Sequence, residues 1–240
     1  PTALFYNSAG IVDIPGYTGN FTYTQWFGGY SHNYIAGIIP IGEKYRAGLS
    51  VTSFTSGPIP FTTVQDENRL NTTYSITDVA IGGTFAAQLT DQFSFGVTLK
   101  YVQNGIGGMS ANGILADVGT LYRFRGVRLG FSISNLGPQL QFSGADLNFR
   151  TDLYREWLAA VEFETLSDVP EQFAIGTEYT WKDLISLRAG YRFNQSSFGL
   201  SGGVGLRYIG SGFEGLLDYS IQPTTTLGII NRFSITLRLD

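Results

Sequence analysis

Large apolar residues take every second position along much of the chain, with small or charged residues between them. Phe93, Phe95, Val97, Leu99 and Tyr101 interleave with Ser94, Gly96, Thr98 and Lys100. Val127, Leu129, Phe131 and Ile133 interleave with Arg128, Gly130 and Ser132, and Ile185, Leu187, Ala189, Tyr191 and Phe193 with Ser186, Arg188, Gly190 and Arg192. Strand side chains point to opposite faces with period two, so each segment is a strand with one apolar and one polar face. The pattern predicts strands at about 19–27, 32–41, 45–54, 76–89, 92–103, 112–124, 127–136, 157–165, 172–182, 184–193, 199–208, 212–221 and 231–239. Gly42-Glu43-Lys44, Thr90-Asp91, Arg125-Gly126 and Lys182-Asp183 read as tight turns, whereas 55–73 and 137–156 are long connections. Such strands, with short and long joints largely alternating, are the signature of a transmembrane antiparallel β-barrel, in which a tilted strand of about ten residues crosses an apolar band roughly 25 Å tall. Thirteen strands are visible, yet single-chain bacterial barrels have an even number. The parity breaks around 137–165, where Leu147, Phe149, Thr151 and Leu153 alternate only briefly. Either that strand is stunted or residues are missing there, and about fourteen strands are expected in the intact barrel.

A soluble all-β protein would show the same alternation with its apolar face inward. A closed barrel of about fourteen strands is too wide for its own side chains to fill, and the outside of a sandwich or propeller would carry many Lys, Glu, Asn and Gln. Here the polar phase is mainly Gly, Ser, Thr and Ala, and only 14% of residues are charged, against about 25% in soluble domains. Lys100, Asp117, Arg123, Arg128, Glu162, Glu164, Glu178, Arg188, Arg192, Arg207, Glu214, Asp218, Arg232 and Arg238 all fall on that polar phase. A lipid-facing Arg or Lys at mid-membrane costs about 2–4 kcal/mol, so the polar phase must face the lumen. Glu162, Glu164, Glu178, Arg188 and Arg192, on three successive strands, are expected to form an ion-pair ladder that either stiffens the wall or lines a polar path. Trp26, Trp157 and Trp181, with Tyr122, Tyr179 and Tyr208, sit near strand ends, as interfacial anchors in outer-membrane lipid do.

Candidate chemistry adds little. His32 is the one histidine and there is no Cys, so a Ser–His pair would need a residue expected on the exposed rim beside Gly28-Gly29-Tyr30. The carboxylates lack calcium-loop spacing, so no catalytic group, metal or cofactor is predicted. Gly202-Gly203-Val204-Gly205 lies within a strand and reads as room for a plug or a bend, not as a phosphate loop. A net charge of −4 without a basic block makes nucleic acid an unsuitable partner. No apolar run reaches the roughly 18 residues of a spanning helix. No signal peptide is visible at the first residue, which suggests a processed or truncated chain.

The opening Pro1-Thr2-Ala3-Leu4-Phe5-Tyr6-Asn7-Ser8-Ala9-Gly10 resembles the D-P-T-A-L-F-Y-N-P-A-G segment of the FadL-like superfamily, and most closely its PorV/PorQ branch. Tyr23-Thr24-Gln25-Trp26 resembles that branch's Y-T-E-W, Thr77-Asp78-Val79-Ala80-Ile81-Gly82 its T-D-L-A-V-G, Ser132-Ile133-Ser134-Asn135-Leu136-Gly137 its S-V-Q-N-L-G, and Leu187-Arg188-Ala189-Gly190-Tyr191-Arg192 its L-R-A-G-Y-R. Ser8 departs from the family's Pro, and Leu237-Arg238-Leu239-Asp240 lacks the terminal aromatic residue of many barrels. The resemblance implies a FadL-like barrel in a gram-negative outer membrane. Residues 1–16 would form a hatch segment carrying Asn7, Ser8, Ala9 and Gly10, and 17–240 the barrel. It also implies a non-enzymatic type IX secretion or assembly factor that docks a translocon or secreted cargo signal domains, with Phe61, Asn68 and Phe149 as loop contacts. The alternatives are a FadL-type transporter of a hydrophobic small ligand and a structural barrel in a surface assembly.

Overall fold

The computed structural model describes residues 3–60, 73–124, 127–138, 140, 142, 156–158, 162–166, 169–182, 184–193, 199–224 and 228–239. A short helix, α1 (Ala3–Tyr6), and a 3-10 turn (Ser8–Asp13) precede the strands β1 (Tyr17–Gln25), β2 (Ser31–Ile41), β3 (Tyr45–Thr55), β4 (Ile59–Pro60), β5 (Thr73–Tyr74), β6 (Ile76–Gln88), β7 (Phe93–Ile106) and β8 (Met109–Phe124). The remainder are β9 (Val127–Leu136), β10 (Glu156–Leu158), β11 (Glu162–Leu166), β12 (Val169–Trp181), β13 (Ile185–Phe193), β14 (Leu200–Ile209), β15 (Phe213–Pro223) and β16 (Ile229–Leu239). Fourteen strands form one antiparallel sheet in the order β10-β11-β12-β13-β14-β15-β16-β1-β2-β3-β6-β7-β8-β9, and β4 pairs with β5 alone. The β1–β16 ladder brings the chain's two ends together, Tyr17 opposite Leu239. Among the described residues no ladder joins β9 to β10, although the two strands come within 8 Å between Cα atoms.

The expected count of fourteen is met, but not by the expected segment. The predicted single strand at 157–165 is two short antiparallel strands, with Glu156 opposite Glu164 and Leu158 opposite Glu162. Alternation alone cannot distinguish one strand from a hairpin whose arms share a phase, because both keep period two. The candidate stretch at 147–153 lies outside the described residues. Elsewhere the strands follow the alternation closely. An unforeseen tight joint closes β7 onto β8, where Gly107 (φ 56°) and Gly108 (φ 88°) both adopt the left-handed backbone that two-residue hairpins need.

The sheet is inverted relative to a soluble fold. Along β1 Tyr17, Phe21 and Tyr23 are exposed while Thr18, Asn20, Thr22 and Thr24 are buried. Leu49 (70% exposed), Ile114 (65%) and Leu99 (61%) point outward. Inside, hydroxyls and amides satisfy one another: Asn20 Nδ2 donates to Thr236 Oγ1 at 2.8 Å, and Thr84 and Thr98 share a hydrogen bond of 2.7 Å. Backbone groups in lipid have no water to bond, so a continuous ladder with an apolar outer face suits the bilayer and no aqueous surface. The buried apolar cluster is small: Leu4, Ile11 and Val12 of the N-terminal segment pack on Tyr34, Ala36, Ile38 and Ala86 of the wall. Leu99→Arg is therefore expected to lower unfolding free energy in phospholipid vesicles by about 2–4 kcal/mol, measured by reversible denaturant titration. An unchanged value would show that this face does not meet lipid.

Candidate functional site: a plug on one wall of the lumen

Ala3–Asp13 lies inside the sheet against β3, β6, β7 and β8. The packing depends on missing side chains. Gly96 and Gly119 stand opposite each other across β7 and β8 on the lumenal phase. A Cβ on Gly96 would meet the Ser8 carbonyl carbon at 2.5 Å, and one on Gly119 would collide with the Asn7 side chain. Likewise a Cβ on Gly48 would meet Leu4 Cδ2 at 2.7 Å. Polar bonds then fix the segment. Asn7 caps the 3-10 turn, its Oδ1 accepting from the Ala9 amide at 3.0 Å while its Nδ2 donates to the Thr120 carbonyl at 3.0 Å. The Ser132 hydroxyl donates to the Tyr6 carbonyl at 3.0 Å. Where the segment leaves for β1, Arg123 pairs with Asp13 and Arg46 Nε donates to the Ile14 carbonyl at 3.0 Å.

The segment thus forms a plug. Its upper face is aromatic. Phe5 and Tyr6 are 48% and 41% exposed, and the Phe5 ring lies edge-on to Tyr6 at 5.1 Å, Tyr34 at 5.8 Å and His32 at 6.3 Å. His32 is not the exposed rim residue expected: it is half-buried and pairs with Thr24 on the lumenal phase. The Tyr34 hydroxyl and the Ser8 Oγ are buried without a hydrogen-bond partner. Among the described residues no cluster of His, Asp or Glu could hold a metal ion.

The facing wall is charged. Glu178 stands opposite Arg188 across β12 and β13, and Arg188 pairs with both Glu178 and Asp218. Arg188 reaches Asp218 over β14 because Gly205 lies beneath it: a Cβ there would sit 2.7 Å from Asp218 Oδ1 and 3.2 Å from Arg188 Nη1. Gly205 thus makes room for an ion pair, while Gly48, Gly96 and Gly119 make room for the plug. A second group joins Glu214 to Arg207 at 2.8 Å and to Arg238. Of the ladder expected from β11 through β13, the Glu178–Arg188 pair is present, and the described ion pairs continue from it to β15. Glu162 and Glu164 lie on β11, with Glu164 opposite Gln172, and Arg192 stands opposite Ala174; their side chains, like that of Trp157 on β10, are outside the described residues, as are Phe61, Asn68 and Phe149. Trp181 is 48% exposed at the end of β12 with Lys182 Nζ 4.8 Å from its ring, and Trp26 follows the last residue of β1, both at the rims.

Sequence reasoning missed the aromatic cluster and the plug-facing glycines. The opposed lumenal pair Gly96 and Gly119 was a readable signal, since neighbouring side-chain-free positions on one face mark a close approach.

Fourteen antiparallel strands with an apolar outer phase, and an N-terminal segment packed on their polar phase, define the class by fold: an all-β sheet of the kind that β-barrels are built from. No family model matches the sequence, and no curated protein matches it. Solved structures do. The Ralstonia pickettii toluene transporter TbuX is 13% identical, aligned over 100% of this chain and 94% of its own, with a TM-score of 0.64. The monoaromatic hydrocarbon channel CymD is 12% identical over 100% and 92%, at 0.59. The Pseudomonas putida toluene transporter TodX is 11% identical over 98% and 92%, at 0.57. At these identities the likeness is one of fold.

Two substitutions test the plug. Asn7→Ala leaves the buried Thr120 carbonyl without its side-chain donor and is expected to loosen residues 3–13 by about 1–3 kcal/mol, seen as faster amide exchange there but not in β7 or β8. Ser8 follows an extended Asn7 (φ −151°, ψ 108°) at the first position of the 3-10 turn, a place that suits proline. Ser8→Pro also removes an orphaned hydroxyl and is expected to stabilise the plug by about 0.4–1 kcal/mol.

Proposed function

We propose that this protein carries hydrophobic small molecules across the outer membrane. The observation that supports this best is the aromatic upper face of the plug. Phe5 and Tyr6 offer open ring surface beside Tyr34 and His32, inside a wall whose other lumenal residues are mostly small or polar. Such a surface gains free energy by taking apolar molecules out of water, and its edge-on rings suit flat ones. By the rule that short turns face the periplasm, this face looks outward, where ligand arrives. The plug then acts as a hatch that holds ligand above it. Binding and passage require no covalent chemistry, which agrees with a non-enzymatic role. The secretion-factor reading rests on the sequence segments alone, since its loop contacts Phe61, Asn68 and Phe149 lie outside the described residues.

Uptake of labelled toluene into cells or proteoliposomes carrying the full chain tests the proposal. Uptake above protein-free controls is expected, with Phe5→Ala/Tyr6→Ala weakening binding about tenfold, equivalent to about 1.4 kcal/mol of lost aromatic contact. Uptake no faster than in controls, across toluene and a long-chain fatty acid, would overturn it.

A further inference from the structure

The plug leaves half of the wall uncovered. It packs on β2, β3, β6, β7 and β8, whereas β14 stands seven places from β7 in the sheet order, fifth against twelfth. A cavity of about 200 Å³ lies on that far wall, lined by Glu178, Arg188, Arg207, Asp218, Thr180 and Ser186. Its charged side chains remain open to solvent: Arg188 is 40% exposed, Glu178 49%, Arg207 39% and Asp218 28%. Toward the long loops the next described lumenal residues of β13 and β14 are Gly190, Gly203 and Ser201, all small, with Arg192 beyond them on β13. Leu206 and Leu216 are the apolar members of that lining, and charges this exposed keep their water.

We infer that a hydrated corridor runs beside the seated plug along β12–β15 and conducts small ions. This activity is separate from the carriage of apolar ligand over the aromatic face. Two acidic and two basic groups line the cavity, so the resting corridor selects weakly between cations and anions. Fixed charge in a narrow passage sets that preference. Removing Glu178 and Asp218 leaves Arg188 and Arg207 unopposed, while removing Arg188 leaves the two carboxylates in excess.

The test is conductance of the full chain in planar bilayers under a potassium chloride gradient. Small discrete current steps are expected from the unmodified protein. Glu178→Gln/Asp218→Asn is expected to shift the reversal potential toward anion preference and Arg188→Gln toward cation preference. Opposite shifts are something a merely structural ion pair would not produce. Should these variants not fold, Ser186→Cys in this cysteine-free chain supplies the readout: a cationic thiol reagent is expected to reduce the current. Silence of inserted, protease-resistant barrels would overturn the inference. So would a current unmoved by the charge changes and by the thiol reagent, which would place conduction elsewhere.

Discussion

The architecture follows from one constraint: backbone groups away from water must find their hydrogen-bond partners within the protein. Ladders from β10 to β9 meet that demand along the sheet, with none joining β9 to β10 among the described residues, and they free the outer face to be largely apolar. Leu49, Leu99 and Ile114 then stand outside, where a soluble protein would have its surface charges. The cost falls on the interior. A wall this wide cannot be filled by its own side chains, so its inner face must be matched by polar neighbours, by water or by another segment of chain.

The chain uses each solution on a different part of the wall. Along β1 and β16, Thr22, Ser234, Thr236 and Asn20 bond to one another. Against β3, β6, β7 and β8, the first residues of the chain return into the lumen and bury Leu4, Ile11 and Val12. The plug approaches because Gly48, Gly96 and Gly119 lack side chains, and it is oriented by Asn7. Along β12 to β15, where no plug lies, Arg188 bridges two carboxylates over Gly205 and the surface stays wet. The lumen thereby has an aromatic side and an ionic side, and the two proposed activities divide along that boundary.

Much of this was legible in the sequence. Period-two alternation gave the strand positions, and charge phase gave the face that meets lipid, because a misplaced arginine is costly in hydrocarbon. The opening segment raised the expectation of a hatch by resemblance, and residues 3–13 pack on the polar phase of the sheet. Strand parity pointed to an irregularity near 137–165, where the described residues form β10 and β11. What the alternation could not supply was neighbourhood. It places Arg188 on the lumenal phase but does not say that Asp218, two strands away, is its partner, since that depends on register and on a glycine between. It puts His32 near a rim without showing that a ring from the far end of the plug segment will lie beside it. It cannot separate β10 from β11, because two antiparallel neighbours can share one phase of the alternation. These are non-local facts, fixed by pairing.

The inverted wall is the claim on which the rest stands, and nitroxide labels placed singly at residues 95 to 101 of β7 test it most directly. The chain has no cysteine, so each label is attached at one introduced site. In lipid vesicles the account predicts high oxygen accessibility at 95, 97, 99 and 101 and low accessibility at 96, 98 and 100. Uniform accessibility, or the opposite phase, would contradict it.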